Sequence, residues 1–149
     1  MNDIFAPIYE TLFGLYDPKF DLIFSTLYNG GGYIKIGLIF ILIPLIMWAL
    51  FYFAWRNPYG KYWYWLLWLL FSCIVVFGVT WGVANTEIFA SNNQNLIDAL
   101  ADPNTGYEQY ASSLPIKYAM INTGLAIIIG FIFSLILKQF SKIQMHLPF

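Results

Sequence analysis

The sequence predicts an all-α integral membrane protein, with three transmembrane helices preceded by short N-terminal interfacial amphipathic helices. Three observations carry that class. Lys35 and Arg56 are separated by 20 uncharged residues, Lys61 and Glu87 by 25, and Lys117 and Lys138 by 20 more. Hydrophobic residues make up 60% of the chain and charged residues 10%, against roughly 45–50% and 25% in soluble domains. The first 33 residues differ: helical apolar spacing is present there but is broken repeatedly by acids and prolines.

A hydrocarbon core about 30 Å thick needs about 20 apolar residues at 1.5 Å rise each, so each charge-free run is long enough to cross. Backbone groups in hydrocarbon need internal partners, and these runs lack the alternation of a barrel strand, which leaves helix. A soluble helical core of this size would need a polar shell, and seven basic and eight acidic residues among 149 do not supply one.

The elements follow in order. Residues 1–32 form an interfacial arm. Ile4, Ile8, Leu12 and Leu15 recur at helical spacing, as do Phe20, Ile23, Phe24, Leu27 and Tyr28. Asp3, Glu10, Asp17, Lys19 and Asp21, with Pro7 and Pro18, interrupt them, so two short helices broken at Asp17-Pro18 are expected to lie in the membrane interface. Their apolar faces are expected to meet headgroups or a partner, with packing against the chain's own helices as the alternative. Acids where an apolar h-region belongs, and no basic start, argue against a cleavable signal peptide. Asn29-Gly30-Gly31-Gly32 makes a flexible corner. Residues 33–55 form the first span, in which Pro44 predicts a kink or a partner-filled gap. Residues 56–61 form a turn and residues 62–86 the second span. Residues 87–115 form a loop with a short helix over 95–100, stopped by Asp102-Pro103-Asn104-Thr105-Gly106. With the arm, this loop is expected to build an acidic cap. Residues 116–138 form the third span and 139–149 a tail.

Charge sets the expected orientation. Arg56, Lys61, Lys138 and Lys142 lie on one side, and all eight acids on the other with Lys19, Lys35 and Lys117. The positive-inside rule then places the turn and C-terminus in the cytoplasm, and the N-terminus and long loop outside. No Asn-x-Ser/Thr sequon occurs, so the expected location is a bacterial inner membrane.

The same residues limit the chemistry. No charged residue lies at membrane depth, since Lys35, Lys117 and Lys138 stand at the ends of their spans, whereas pumps, ion-coupled carriers and voltage sensors need ionisable groups at depth. One cysteine (Cys73) and one histidine (His146) cannot build a zinc cluster, an iron–sulfur site or a bis-histidine haem. Cys73 reads as a packing residue and His146 as a tail residue. Glu87, Asp98, Asp102 and Glu108 show no catalytic spacing. Asp102 to Glu108 approximates a calcium loop, but its glycine is one position early and the closing glutamate is missing, so it reads as a turn. A net charge of -1 gives no case for nucleic acid. The chain is therefore expected not to be an enzyme and to hold no intrinsic cofactor. Bound lipids are expected, and a quinone or pigment at an interface with a partner is the one cofactor class left open.

Two patterns point to helix association. On the third span Asn122, Ala126, Gly130 and Ser134 recur every four residues, and on the second Gly78 and Gly82 form a GxxxG pair. Small residues at this spacing let backbones approach where lipid gives no hydrophobic drive. The second and third spans are expected to pack on each other there, or each to dock a partner. The tryptophans Trp48, Trp55, Trp63, Trp65 and Trp68 cluster around the turn and read as an interfacial belt. Together these features favour a non-catalytic small integral membrane subunit of a larger complex, in a scaffold, assembly or accessory role. A homo-oligomeric pore is the alternative, since three spans with this orientation resemble some phage holins in topology alone. A lipid- or quinone-handling protein is the weaker alternative. The expected partners are other membrane subunits or copies of the chain itself, and the bilayer.

Overall fold

The computed structural model describes residues 2–54 and 62–141, and every regular element among them is helical. In chain order these are α1 (Asn2–Pro7), continued by a π-helical turn over Ile8–Leu12; a 3₁₀ turn over Pro18–Phe20; α2 (Asp21–Asn29); α3 (Gly32–Ala49), continued by a π turn over Leu50–Ala54; α4 (Tyr62–Phe89); α5 (Gln94–Ala101); and α6 (Tyr107–Phe140). Three segments are long and apolar enough to cross a membrane: Gly32–Ala54, Tyr62–Phe89 and Tyr107–Phe140. The chain is an all-α, multi-pass membrane protein. The 56–61 turn and most of the 139–149 tail lie outside the described residues.

Local chemistry sets the boundaries. Asp17 accepts a hydrogen bond from the Lys19 amide at 3.0 Å, and Pro18 opens the turn that leads into α2. Gly31, at φ +72°, turns the corner into α3. The Asn93 side chain caps α5 by accepting from the Asn95 amide at 3.1 Å. Asp102 accepts from the Asn104 amide at 2.9 Å, which closes the expected turn before α6.

The third long helix begins at Tyr107 rather than at residue 116, and carries Pro115 inside it. Ser112 and Ser113, in the turn before the proline, donate back to the carbonyls of Gln109 and Tyr110 at 2.9 and 2.8 Å. The extension is also held from outside. Phe20 stacks on Tyr110 at 4.2 Å, and the Tyr110 hydroxyl donates to the Leu15 carbonyl at 2.6 Å.

α4 and α6 form the most extensive helix pair, and α3 lies against both. The arm packs in part on the chain's own helices, the alternative reading, while Ile4 and Leu12 stay exposed. Phe5, Ala6 and Tyr9 are buried within the chain, not turned to headgroups or a partner. Phe5 occupies the space where a Gly37 side chain would stand and meets Phe40 edge-on at 6.1 Å. Gly37 thus lets the arm lie directly on the α3 backbone. The physical reason is competition: a groove with a missing Cβ and aromatic walls packs the arm's rings more closely than fluid lipid does. The end of the bundle carrying the arm is called the arm end below; the opposite end is the turn end.

Candidate functional site

Two hydrogen-bonded centres lie inside the bundle, both built on the predicted α6 row. Asn122, Ala126, Gly130 and Ser134 are all buried. Asn122 and Ser134 are twelve residues apart, which is about 18 Å along the helix.

At the arm end, Asn122 joins four segments. The Tyr9 hydroxyl donates to Asn122 Oδ1 at 2.6 Å, and Asn122 Nδ2 donates to the Ile36 carbonyl at 2.8 Å and to Thr80 Oγ1 at 3.1 Å. Tyr9 stacks on Tyr33 at 6.1 Å and meets Tyr118 edge-on at 5.1 Å. Burial, with a further push from Tyr118, raises the Tyr9 hydroxyl well above the ordinary tyrosine range despite the opposing bond to Asn122. It therefore remains a protonated donor. Three of the arm's four acids, which interrupt its apolar pattern, accept from a tyrosine, and the fourth, Asp17, accepts from the Lys19 amide. Tyr33 donates to Glu10, Tyr28 to Asp3, and Tyr16 to Asp21 at 2.9 Å. The Tyr28 bond holds the Asp3 carboxyl below its usual range, and the same bonds push the Tyr16 and Tyr28 hydroxyls up.

At the turn end, Ser134 Oγ accepts from Trp65 Nε1 at 2.7 Å and shares a 2.7 Å hydrogen bond with the Tyr52 hydroxyl. Ser141 Oγ donates to the Tyr52 carbonyl at 2.6 Å. Trp48 lies 5.3 Å from Trp65 and 5.5 Å from Phe51, ring to ring. A Cβ on Gly130 would stand 2.7 Å from Trp48 Nε1 and 3.8 Å from Pro44 Cβ. Gly130 therefore admits the Trp48 ring, and the helix it approaches closely is α3. α3 continues through the buried Pro44, so α6 of the same chain covers the site where a partner-filled gap was expected.

The structure corrects two expectations. Gly78 and Gly82 do not pack against α6: a Cβ at either would meet nothing within 4 Å. The inward face of α4 is instead the row Ser72, Val76, Thr80, Ala84 and Ile88, also at four-residue spacing. This second small-residue row was present in the sequence but obscured by the glycine pair. Nor do all the tryptophans form an interfacial belt. Trp48 and Trp65 are buried in a shared core with Phe51 and Tyr52, and Trp68 is half-buried, its Nε1 donating to the Met47 carbonyl at 2.8 Å. The indole N–H groups of Trp65 and Trp68 find protein acceptors, whereas buried Trp48 is held by ring packing alone, its Nε1 without a hydrogen-bond partner among the described residues. Trp63 is exposed, as a belt residue would be. Trp55 lies outside the described residues, as do Arg56, Lys61, Lys142 and His146.

The remaining candidates are dispersed. Glu87 pairs with Lys35 at 2.6 Å, Asp98 accepts from Gln94 at 3.0 Å, and Asp102 serves the turn. Cys73 is half-buried. Among the described residues, no three of His, Cys, Asp or Glu converge as a metal set. What both centres do is hold helices: each places one α6 polar side chain among groups from the other segments. Compared with known protein families, curated proteins and solved structures, the chain matches none.

Proposed function

We propose that this chain is a non-catalytic integral membrane subunit that docks another membrane helix on the Gly78–Gly82 face of α4. The observation that carries the reading is the contrast between the two small-residue rows. The α6 row is consumed inside the chain, whereas the α4 glycines face open space. Only 17% of the apolar window of α4 is buried, against 22% for α6 and 50% for α3. A GxxxG face that its own fold leaves uncovered suits close approach by a second helix. The polar stripe that a pore would need is turned inward, with Asn122 and Ser134 spent on internal hydrogen bonds. That arrangement favours a subunit over a homo-oligomeric pore. The basic residues Arg56, Lys61, Lys138 and Lys142 support a cytoplasmic C-terminus in a bacterial inner membrane.

One observation favours the lipid- or quinone-handling reading as a second. Phe51, Tyr64, Leu67, Trp68 and Phe71 line an apolar groove of about 410 Å³ at the turn end. Its aromatic walls suit a flat hydrophobic molecule.

The test is purification in mild detergent with mass spectrometry, for the wild type and for a Gly78→Leu/Gly82→Leu variant. Different co-purifying chains in the wild type, lost in the variant while the helices stay folded, support the subunit reading. A single species in several copies supports the pore. An unchanged complex from the variant sinks docking on this face. Solvent extracts of the same preparation show whether a quinone or pigment accompanies the chain.

A further inference from the structure

At the arm end, the last turns of α2 and α4 and the approach to α5 enclose a half-open cavity of about 440 Å³. Its walls include Asn29, Lys35, Glu87, Ser91, Asn92 and Asn93. Lys35 Nζ donates to Glu87 Oε1 at 2.6 Å, so a cation and an anion stand side by side on one wall. Their bond leaves both with capacity to spare, because an ammonium carries three donors and a carboxylate about four acceptor sites. Both remain reachable, with the Lys35 side chain 56% exposed and Glu87 20%. Ser91 Oγ is buried with no hydrogen-bond partner among the described residues. The side chains of Asn29 and Asn92 are exposed, and their amides make no hydrogen bond among those residues. An enclosed hydroxyl such as that of Ser91 ordinarily has a partner, while exposed amides are free to turn toward a ligand. Here unspent donors and acceptors converge on one space.

Position and charge together select the ligand. Lys35 lies in the first turn of α3 and Glu87 in the last turn of α4, where two apolar helices end. Phe89, the exposed last residue of α4, follows Glu87 by two positions. This is the level at which an apolar span gives way to polar headgroups. A neighbouring cation and anion complement a molecule that carries one charge of each sign. We infer that the cavity binds a phosphoethanolamine zwitterion, its phosphate on Lys35 with the Asn92 amide and its ammonium on Glu87. A primary ammonium can donate to the carboxylate. A choline group has no N–H to donate, and a purely anionic headgroup brings no cation for Glu87. The cavity is formed within one chain, so the site does not depend on whether the chain joins a complex.

The test is native mass spectrometry of the full chain in detergent with equal amounts of phosphatidylethanolamine, phosphatidylcholine and phosphatidylglycerol. Retention of phosphatidylethanolamine over the other two by about tenfold is expected, the scale of one charge-assisted hydrogen bond. Glu87→Gln is expected to abolish that preference. Because it also breaks the bridge between α3 and α4, a second variant, Asn29→Leu/Asn92→Leu, leaves the ion pair intact. It is expected to weaken phosphatidylethanolamine retention with helix content unchanged. Soluble O-phosphoethanolamine separates the sources. If it binds as tightly as the lipid, the group is correct and its source is soluble; if only the lipid binds, the group is a headgroup. Equal retention of the three lipids without competition by the soluble compound overturns the site. So does a folded Glu87→Gln protein that keeps the wild-type preference.

Discussion

At the arm end Asn122 exchanges three hydrogen bonds with groups from the arm, α3 and α4. At the turn end Ser134 exchanges two, within a cluster of tryptophan, phenylalanine and tyrosine rings. The two centres stand on one helix row yet hold the bundle by different means. A bidentate amide surrounded by a hydroxyl, a carbonyl and a second hydroxyl sets the register of four segments at once. A single hydroxyl beneath packed rings sets less direction and leans on shape. Inside lipid, where burial of apolar surface gives little drive, geometry of this kind decides which helix faces which. The arm end is thus specified by polar direction and the turn end by ring packing against a glycine.

The sharpest break of that contrast is Gly130→Leu. A Cβ there already stands 2.7 Å from Trp48 Nε1, so a leucine must displace the ring. The expected loss is roughly 1–3 kcal/mol or more, the range for overpacking a tight site. It is read from reversible unfolding in mixed micelles. Gly78→Leu, with nothing within 4 Å, is expected to leave the same curve unmoved. Equal losses at the two glycines would mean that Trp48 does not pack as described.

A smaller effect compares the two polar centres directly. Hydrogen bonds between membrane helices average about 0.6 kcal/mol, so Asn122→Ala is expected to cost about 2 kcal/mol and Ser134→Ala about 1 kcal/mol. Asn122→Ala is also expected to free the arm to added protease, because Tyr9 loses its acceptor. Ser134→Ala leaves the arm protected. A protected arm in Asn122→Ala would shift the anchoring role to Phe5 and the Gly37 groove.

The smallest effect concerns acid. Asp3 is held below its ordinary value of 3.8, chiefly by the Tyr28 hydroxyl. A carboxyl lowered in the folded chain stabilises above its ordinary value, and that contribution is lost as pH falls through the lowered one. Carboxyl carbon NMR is expected to show Asp3 titrating below a free aspartate, with Tyr28→Phe returning it toward 3.8. An unchanged midpoint in Tyr28→Phe would place the cause elsewhere in the arm.

The three spans were legible because long charge-free runs leave one physical outcome. The α6 row was legible because four residues at one spacing make a stripe whatever they face. The partner of that row was not. Gly130 carries no side chain to indicate whether α3, α4 or another molecule fills its hollow, and only the fold places Trp48 there. On α4, the glycine pair gave a stronger local signal than the Ser72, Val76, Thr80 and Ala84 row that packs inward. The tryptophans were assigned by where rings usually lie, which says nothing of a Ser134 hydroxyl 69 residues beyond Trp65. Tyr9 illustrates the limit most clearly. Its neighbours in sequence look interfacial, and its burial depends on an amide on the last helix.

That pairing also bears on how the protein is made. The Tyr9 hydroxyl and its Asn122 acceptor are separated by 113 residues, so the arm leaves the ribosome well before the helix on which it docks. At about 5–20 residues per second, the arm waits on the order of ten seconds before its site is complete. During that interval Phe5 can already meet Gly37 and Phe40 of α3, but Tyr9 and Tyr33 lack the Tyr118 ring and the Asn122 amide that enclose them, and stay exposed to chaperones, to the insertion machinery or to the membrane surface. A stalled or truncated chain lacking α6 would carry the same exposed rings, giving quality control a direct mark of an unfinished molecule.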